Sequence, residues 1–180
     1  MWRPDLFDHA STQASLVEEQ RAYDIWTSHY PAYSIVETDK TRGAVIDALM
    51  TYENGLHAVV EVKSRRNLTR QKLEGAYGNR ILLMSRKVAN MRQVAKSLCT
   101  KLVVFYYLRD DDTLIVLQLQ DENGELLAPL EYDVITVGGT HIDQDTHKQV
   151  CVYVDLTNAQ WLTIKKEQHP DANPNAKVLP

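Results

Sequence analysis

No apolar run in this 180-residue chain approaches the roughly 18 residues that a membrane-spanning helix needs, so none is expected. The first ten residues, MWRPDLFDHA, lack a basic segment followed by an apolar one, and no signal peptide is expected either. Cysteine is scarce, with only Cys99 and Cys151, which are expected to be reduced core thiols in a cytoplasmic protein and not a disulfide. There is no internal repeat and no linker-like stretch, so a single domain is expected over residues 1–166. The polar, Pro-containing tail EQHPDANPNAKVLP, residues 167–180, is expected to be disordered.

What the chain does have is ordinary for a globular protein: 44% hydrophobic and 24% charged residues. Its net charge of −4 argues by itself against a nucleic-acid partner, but the charge is unevenly placed. From Lys63 to Arg109 there are 12 Lys and Arg and one acidic residue, Glu74, leaving a strongly acidic remainder. Such a basic block is either a solvated helix face or a surface that attracts phosphates.

In chain order, a first helix is expected from about Ser15 to Tyr30, with Ser15 as N-cap and Glu18 three residues on as its capping-box partner. Helical phase puts Leu16, Glu19, Tyr23, Trp26 and Tyr30 on one stripe, so Glu19 points along the apolar face and Glu18 lies off it. A strand follows at Tyr33 to Thr38, then a hairpin, and then a long helical region to about Leu98, interrupted near Gly75 and Gly78. In its second half Met84, Val88, Met91, Ala95 and Leu98 form the apolar stripe, with Arg86, Lys87, Arg92 and Lys96 on the other faces. KLVVFYYL, residues 101–108, suits a central strand buried on both faces. Further strands are expected at 114–119, 130–137 and 150–156, with Trp161 capping the small sheet they make. Asp110, Asp111 and Asp112 read as a solvated hairpin tip. His141, Asp143, Asp145 and His147 read as a polar loop in preference to a zinc site.

The hairpin, RGAVIDALMTYENGLHAVVEVKSRR from Arg42 to Arg66, carries three ionisable residues in segments composed for burial: Asp47 in one strand, Glu61 and Lys63 in the other. A two-residue Asn54-Gly55 turn would set Asp47 opposite Val62. A three-residue Glu53-Asn54-Gly55 loop with Gly55 left-handed, or an equivalent one-residue bulge, would set it opposite Glu61, on one face with Lys63. The second register is expected, because it gathers the charges and leaves Val60 and Val62 to pack the other face. Facing carboxylates are unfavourable without a cation, whereas a cross-strand ion pair on an exposed sheet would contribute only about 0–1 kcal/mol. Asp47, Glu61 and the Val62 carbonyl could hold Mg²⁺ or Mn²⁺, and Glu19 could reach the cluster through a water or as the ligand of a second metal. Lys63 could then polarise the attacking water and offset charge on a phosphodiester in its transition state.

An Asp, 13 intervening residues, and Glu-Val-Lys at the end of an apolar strand resemble the motif of the PD-(D/E)XK nuclease superfamily, over about residues 15–108. The resemblance implies an α/β, restriction-endonuclease-like fold, an α-β-β-β-α-β core around a mixed sheet, here with extra C-terminal strands over about 113–164. It also implies Mg²⁺-dependent hydrolysis of DNA by an endonuclease, with Asp47, Glu61 and Lys63 as motif residues, Glu19 as the helix glutamate that joins the site in many members, and possible homodimers. The chain departs from the pattern at Ile46, which stands where the family name has Pro, and in the wide spacing of Gln71 and Tyr77 compared with exonuclease-like members. Arg42, Ser64, Arg65, Arg66, Arg70, Lys72, Arg80 and Lys87 are the candidate phosphate contacts. The competing expectations are a catalytically idle DNA-binding module on the same fold, and an assembly protein docking through its acidic C-terminal sheet. Residence in a host-cell cytoplasm is expected should the chain be phage-encoded.

Overall fold

The run KLVVFYYL becomes the buried strand β5 (Lys101–Leu108) inside a six-stranded sheet, and its alternation separates two cores. A computed structural model of the chain describes residues 10–39, 44–137 and 147–164. Val103, Phe105 and Tyr107 face helix α1 (Ala10–His29) and pack with Ala22, Tyr23, Ile25 and Trp26. Leu102, Val104, Tyr106 and Leu108 face the opposite way, onto α3 (Ser85–Ser97) and a second, three-stranded sheet. The fold is therefore mixed α/β, with helices on both faces of a mixed sheet.

The larger sheet runs β1 (Tyr33–Glu37), β2 (Ala48–Tyr52), β3 (Gly55–Arg65), β5, β6 (Thr113–Gln120) and β9 (Gln160–Thr163) in spatial order. Only β3 and β5 are parallel; the other pairs are antiparallel. A parallel neighbour requires a crossover, and here it consists of α2 (Arg70–Gly75), β4 (Arg80–Met84) and α3. The smaller sheet is β4, β8 (His147–Asp155) and β7 (Leu130–Val137).

Four sequence expectations are corrected here. The region between Asn67 and Leu98 is not one interrupted helix. Gly78 and Asn79, with φ of 60° and 56°, turn the chain after α2, and RILLM then pairs with β8 as a strand. The first helix begins by Ala10, so Ser15 lies inside it and is no N-cap. The strands at 114–119, 130–137 and 150–156 do not make one small sheet: the first is β6 of the large sheet, and Trp161 stands beside it in β9, opposite Ile115 and packed against the core that Val152 and Val154 share, with the Arg70 guanidinium 4.5 Å from its ring centroid. Cys99 is exposed, in a left-handed conformation after α3, where a core thiol was expected; Cys151 is buried, and both are free.

The three consecutive aspartates also do more than end a hairpin. Asp112 accepts hydrogen bonds from Arg21 Nε (2.9 Å) and the Tyr107 hydroxyl (2.8 Å), and Asp111 accepts one from the Arg70 backbone N–H. These contacts tie α1 and the start of α2 to the β5–β6 turn. Residues 138–146 and 165–180, including His141, Asp143, Asp145 and the expected disordered tail, lie outside the described residues, as does Arg42.

Phe105 is fully buried under α1, 5.4 Å from the Trp26 ring and 6.4 Å from the Tyr23 ring between centroids. Phe105→Ala removes this contact and leaves a cavity, and is expected to lower the unfolding free energy by about 3–5 kcal/mol. Urea denaturation monitored by tryptophan fluorescence checks this; a loss below about 1 kcal/mol would mean that α1 docks without it.

Candidate active site

The register of the β2–β3 hairpin decides which charges meet. Tyr52 pairs with Gly55 across a two-residue turn of Glu53 and Asn54, both left-handed, with φ of 47° and 64°. This is neither of the two loops considered from the sequence; positive φ at both central residues suits the right-handed twist of a hairpin. The shift comes from a bulge: Thr51 pairs with Leu56 but Met50 with Ala58, so His57 is the extra residue. Beyond it Ala48 pairs with Val60, where the β2 register ends, and Asp47, the residue just before β2, lines the same cleft as Glu61. The Asp47 backbone N–H donates to the Val60 carbonyl at 3.0 Å, and Val62 N–H donates to Asp47 Oδ2 at 2.8 Å. Alternation then puts Lys63 on the face of Glu61, while Val60 and Val62 pack under α1.

These residues line a polar cleft of about 340 Å³ together with Ser15 and Glu19 of α1, Val62, Ser64 and Arg65 of β3, and Lys87 of α3. Glu61 is 2% exposed, and its Oε2 is buried with no hydrogen-bond partner. Its Oε1 pairs with the Lys87 ammonium, which also lies 4.0 Å from Asp47 Oδ2. Burial, followed by the nearby Asp47 carboxylate, pushes the Glu61 carboxyl up to about 8, with Lys87 acting against the shift. Burial also lowers the Lys63 ammonium, helped by Arg65 and Lys87 and opposed by Glu61 and Asp47. Below the cluster, burial raises the Tyr23 phenol, with smaller contributions from Glu19 and Asp47.

Of the sequence candidates, Asp47, Glu61, Lys63, Glu19, Val62, Ser64, Arg65 and Lys87 are brought together in this cleft. The remaining candidate cations among the described residues are engaged elsewhere. Arg70 pairs with Glu74 at 2.7 Å, Arg80 with Glu131 at 2.6 Å, and Lys72 donates to the Asn67 carbonyl at 3.1 Å. Arg66 binds Glu18 at 3.0 Å in an adjoining cleft that Arg21, Tyr107 and Arg109 also line.

Glu18 was read from sequence as a cap, and its partners correct that. It is 8% exposed, accepts a hydrogen bond from the Ser64 hydroxyl, and pairs with Arg66 and, at 3.4 Å, with Arg109. It thus holds the end of β3 immediately after Lys63. Sequence reasoning also missed that Lys87 enters the acidic cluster and does not simply lie on a solvated helix face. The signal was present: Lys87 stands four residues before Met91 and one before Val88, at the edge of the buried stripe of α3.

The donor set suits a hard divalent cation. Two facing carboxylates, one with a buried oxygen lacking a partner, provide what Mg²⁺ usually takes from protein, the remaining positions going to water and substrate oxygen. Among the described residues, no three His, Cys, Asp or Glu side chains are grouped closely enough to hold an ion by themselves. No family model matches this chain, and no curated protein matches it.

Proposed function

We propose that this protein is a metal-dependent DNA endonuclease on a restriction-endonuclease-like core, hydrolysing phosphodiester bonds with Mg²⁺ or Mn²⁺. The observation that carries this reading is the gathering of Asp47, Glu61 and Lys63 in one polar cleft, with the Lys87 ammonium beside both carboxylates. Such a cluster costs stability, since Glu61 is almost wholly buried beside another carboxylate, and costly charge clusters in clefts favour a functional explanation over a structural one.

Asp47 and Glu61 would hold the metal, which would supply a Lewis acid for the phosphodiester. Lys63, projecting beside the two carboxylates, places positive charge where the phosphoryl oxygens gain negative charge. Its ammonium can also hold and polarise the attacking water. Ser64 and Arg65 continue the strand beyond Lys63 and line the same cleft, in position to hold the flanking phosphate. Glu19 brings a third carboxylate from α1. A second copy of the chain would be needed to cut both strands at one position, so a homodimer on DNA belongs to this proposal.

The second reading, an idle DNA-binding module, draws on the Lys87 ammonium, which compensates the acidic pair without a metal. One assay separates the two. Supercoiled, branched and single-stranded DNA are each incubated with the protein and Mg²⁺ or Mn²⁺, with EDTA as control. Metal-dependent nicking supports the nuclease; gel shifts without nicking on any substrate support the module.

A further inference from the structure

We infer that Lys87 is a resident cation of the acidic cleft that a divalent ion displaces, and that the released ammonium turns into a separate cleft on the other side of Lys87, lined by Arg86, Asn90 and Gln149, to bind a phosphate of the substrate. This rests on the metal-dependent reading above.

Three observations carry it. The Lys87 ammonium pairs with Glu61 Oε1 and lies 4.0 Å from Asp47 Oδ2, so it stands between the two carboxylates that would hold the ion. A divalent cation bound about 2.1 Å from those oxygens cannot share them with an ammonium, because two positive charges would be forced together in a poorly solvated space. Second, the pairing is incomplete: Glu61 Oε2 stays buried without a hydrogen-bond partner, so a flexible ammonium serves this carboxylate less well than an ion bridging several oxygens.

Third, Lys87 has somewhere to go. It is the third residue of α3, its side chain is 32% exposed, and it lines a second cleft of about 320 Å³ with Ala44, Val45, Arg86, Asn90 and Gln149. Among the described residues no carboxylate lines that second cleft, and Arg86 adds positive charge. A lysine head group on a four-carbon stem can therefore swing from a cleft of acids to one that favours an anion. Occupancy of the acidic cleft by metal and grip on the substrate are thereby coupled through one side chain. The ammonium that balances the empty site becomes a phosphate ligand only once the metal is in place.

Two measurements on the full-length protein test this without relying on turnover. Lysine acylation at fixed pH, read by mass spectrometry, should rise at Lys87 by about threefold or more when Mn²⁺ is added, and should fall again when a duplex oligonucleotide is added to the Mn²⁺ form. In calorimetric titration, Lys87→Met should bind Mn²⁺ about tenfold more tightly than wild type, a factor equivalent to about 1.4 kcal/mol. If Mn²⁺ binds the wild type but leaves Lys87 acylation unchanged or lowers it, the displacement is wrong while the metal site stands. An effect of Lys87→Met on affinity alone, without the rise in labelling, would likewise reduce Lys87 to a fixed repelling charge. Absence of oligonucleotide protection overturns the phosphate half. If the wild type binds no Mn²⁺ at all, this inference and the metal-dependent reading fall together.

Discussion

Glu61→Gln is expected to abolish metal-dependent DNA cleavage, by about 10³-fold or more, while making the metal-free protein more stable at alkaline pH. The two effects have one origin. Glu61 is 2% exposed and faces Asp47, and its carboxyl is pushed up to about 8 from an ordinary value of 4.5. An acid whose proton affinity is raised by folding stabilises the native state while it is protonated in both states, below the unfolded value. As pH rises from about 4.5 to about 8, the unfolded chain has released the proton and the folded one retains it, so stability falls through that window. Above about 8 the penalty is complete. One proton corresponds to at most about 1.4 kcal/mol per pH unit, so the whole loss is of the order of a few kcal/mol.

Glutamine has nearly the same shape and does not titrate, so the variant should match wild type near pH 5 and exceed it by about 2 kcal/mol near pH 8.5. Thermal unfolding in EDTA across that range reads this directly. A variant whose stability tracks wild type at every pH would falsify the assignment of a buried, titrating carboxyl at this position. Adding Mg²⁺ should stabilise wild type at pH 8 and the variant little, because the neutral amide is a poor ligand for a hard cation and ligand binding stabilises only the state that binds. Activity and metal-free stability thus move in opposite directions, as expected where a site is kept charged at a cost to the fold.

Lys63→Met carries the second large effect, a fall in cleavage of about 10²–10⁴-fold with metal affinity unchanged within about threefold. Lys63 shares the face of Glu61 but supplies no lone pair to a cation while it is protonated, so its removal should act on the chemical step and not on metal binding. Burial is the first reason for its lowered proton affinity, and the positive charges of Arg65 and Lys87 add to it. Lys63→Arg should not rescue, since a guanidinium remains protonated and occupies a different shape. Calorimetric Mn²⁺ titration beside a nicking assay separates the possibilities. If Lys63→Met loses metal binding as severely as Glu61→Gln, the lysine is a structural counterion and no part of the chemistry. The methyl-capped side chain of Met keeps most of the packing volume, and a thermal unfolding curve of the variant separates loss of the chemical step from loss of the fold.

Local pattern was enough for the parts of this protein that depend on neighbours along the chain. The period-two alternation of the hairpin put Glu61 and Lys63 on one face and Val60 and Val62 on the other, and helical phase brought Glu19 into the polar cleft. The apolar run at 101–108 suited a buried strand, which it forms. Tertiary structure decided the rest, because those features depend on partners remote in sequence. RILLM at 80–84 adjoins a helix and reads locally as its continuation, and it becomes a strand because Leu83 pairs with Val152 and Ile81 with Val154.

The turn was misread for the same reason. Whether the extra hairpin residue sits in the loop or at His57 depends on how β2 pairs with β1 and β3 with β5, not on the turn residues alone. Glu18 reads locally as a helix cap and Lys87 as a phosphate contact on a polar helix face, and each is engaged instead by groups on another element: Glu18 by the Ser64 hydroxyl and the Arg66 and Arg109 guanidinium groups, Lys87 by Glu61. A sequence specifies the phase of a side chain on its own helix or strand. Only the packed fold supplies the opposite charge that makes burying it tolerable, and here that is what turns a charged hairpin into a candidate site.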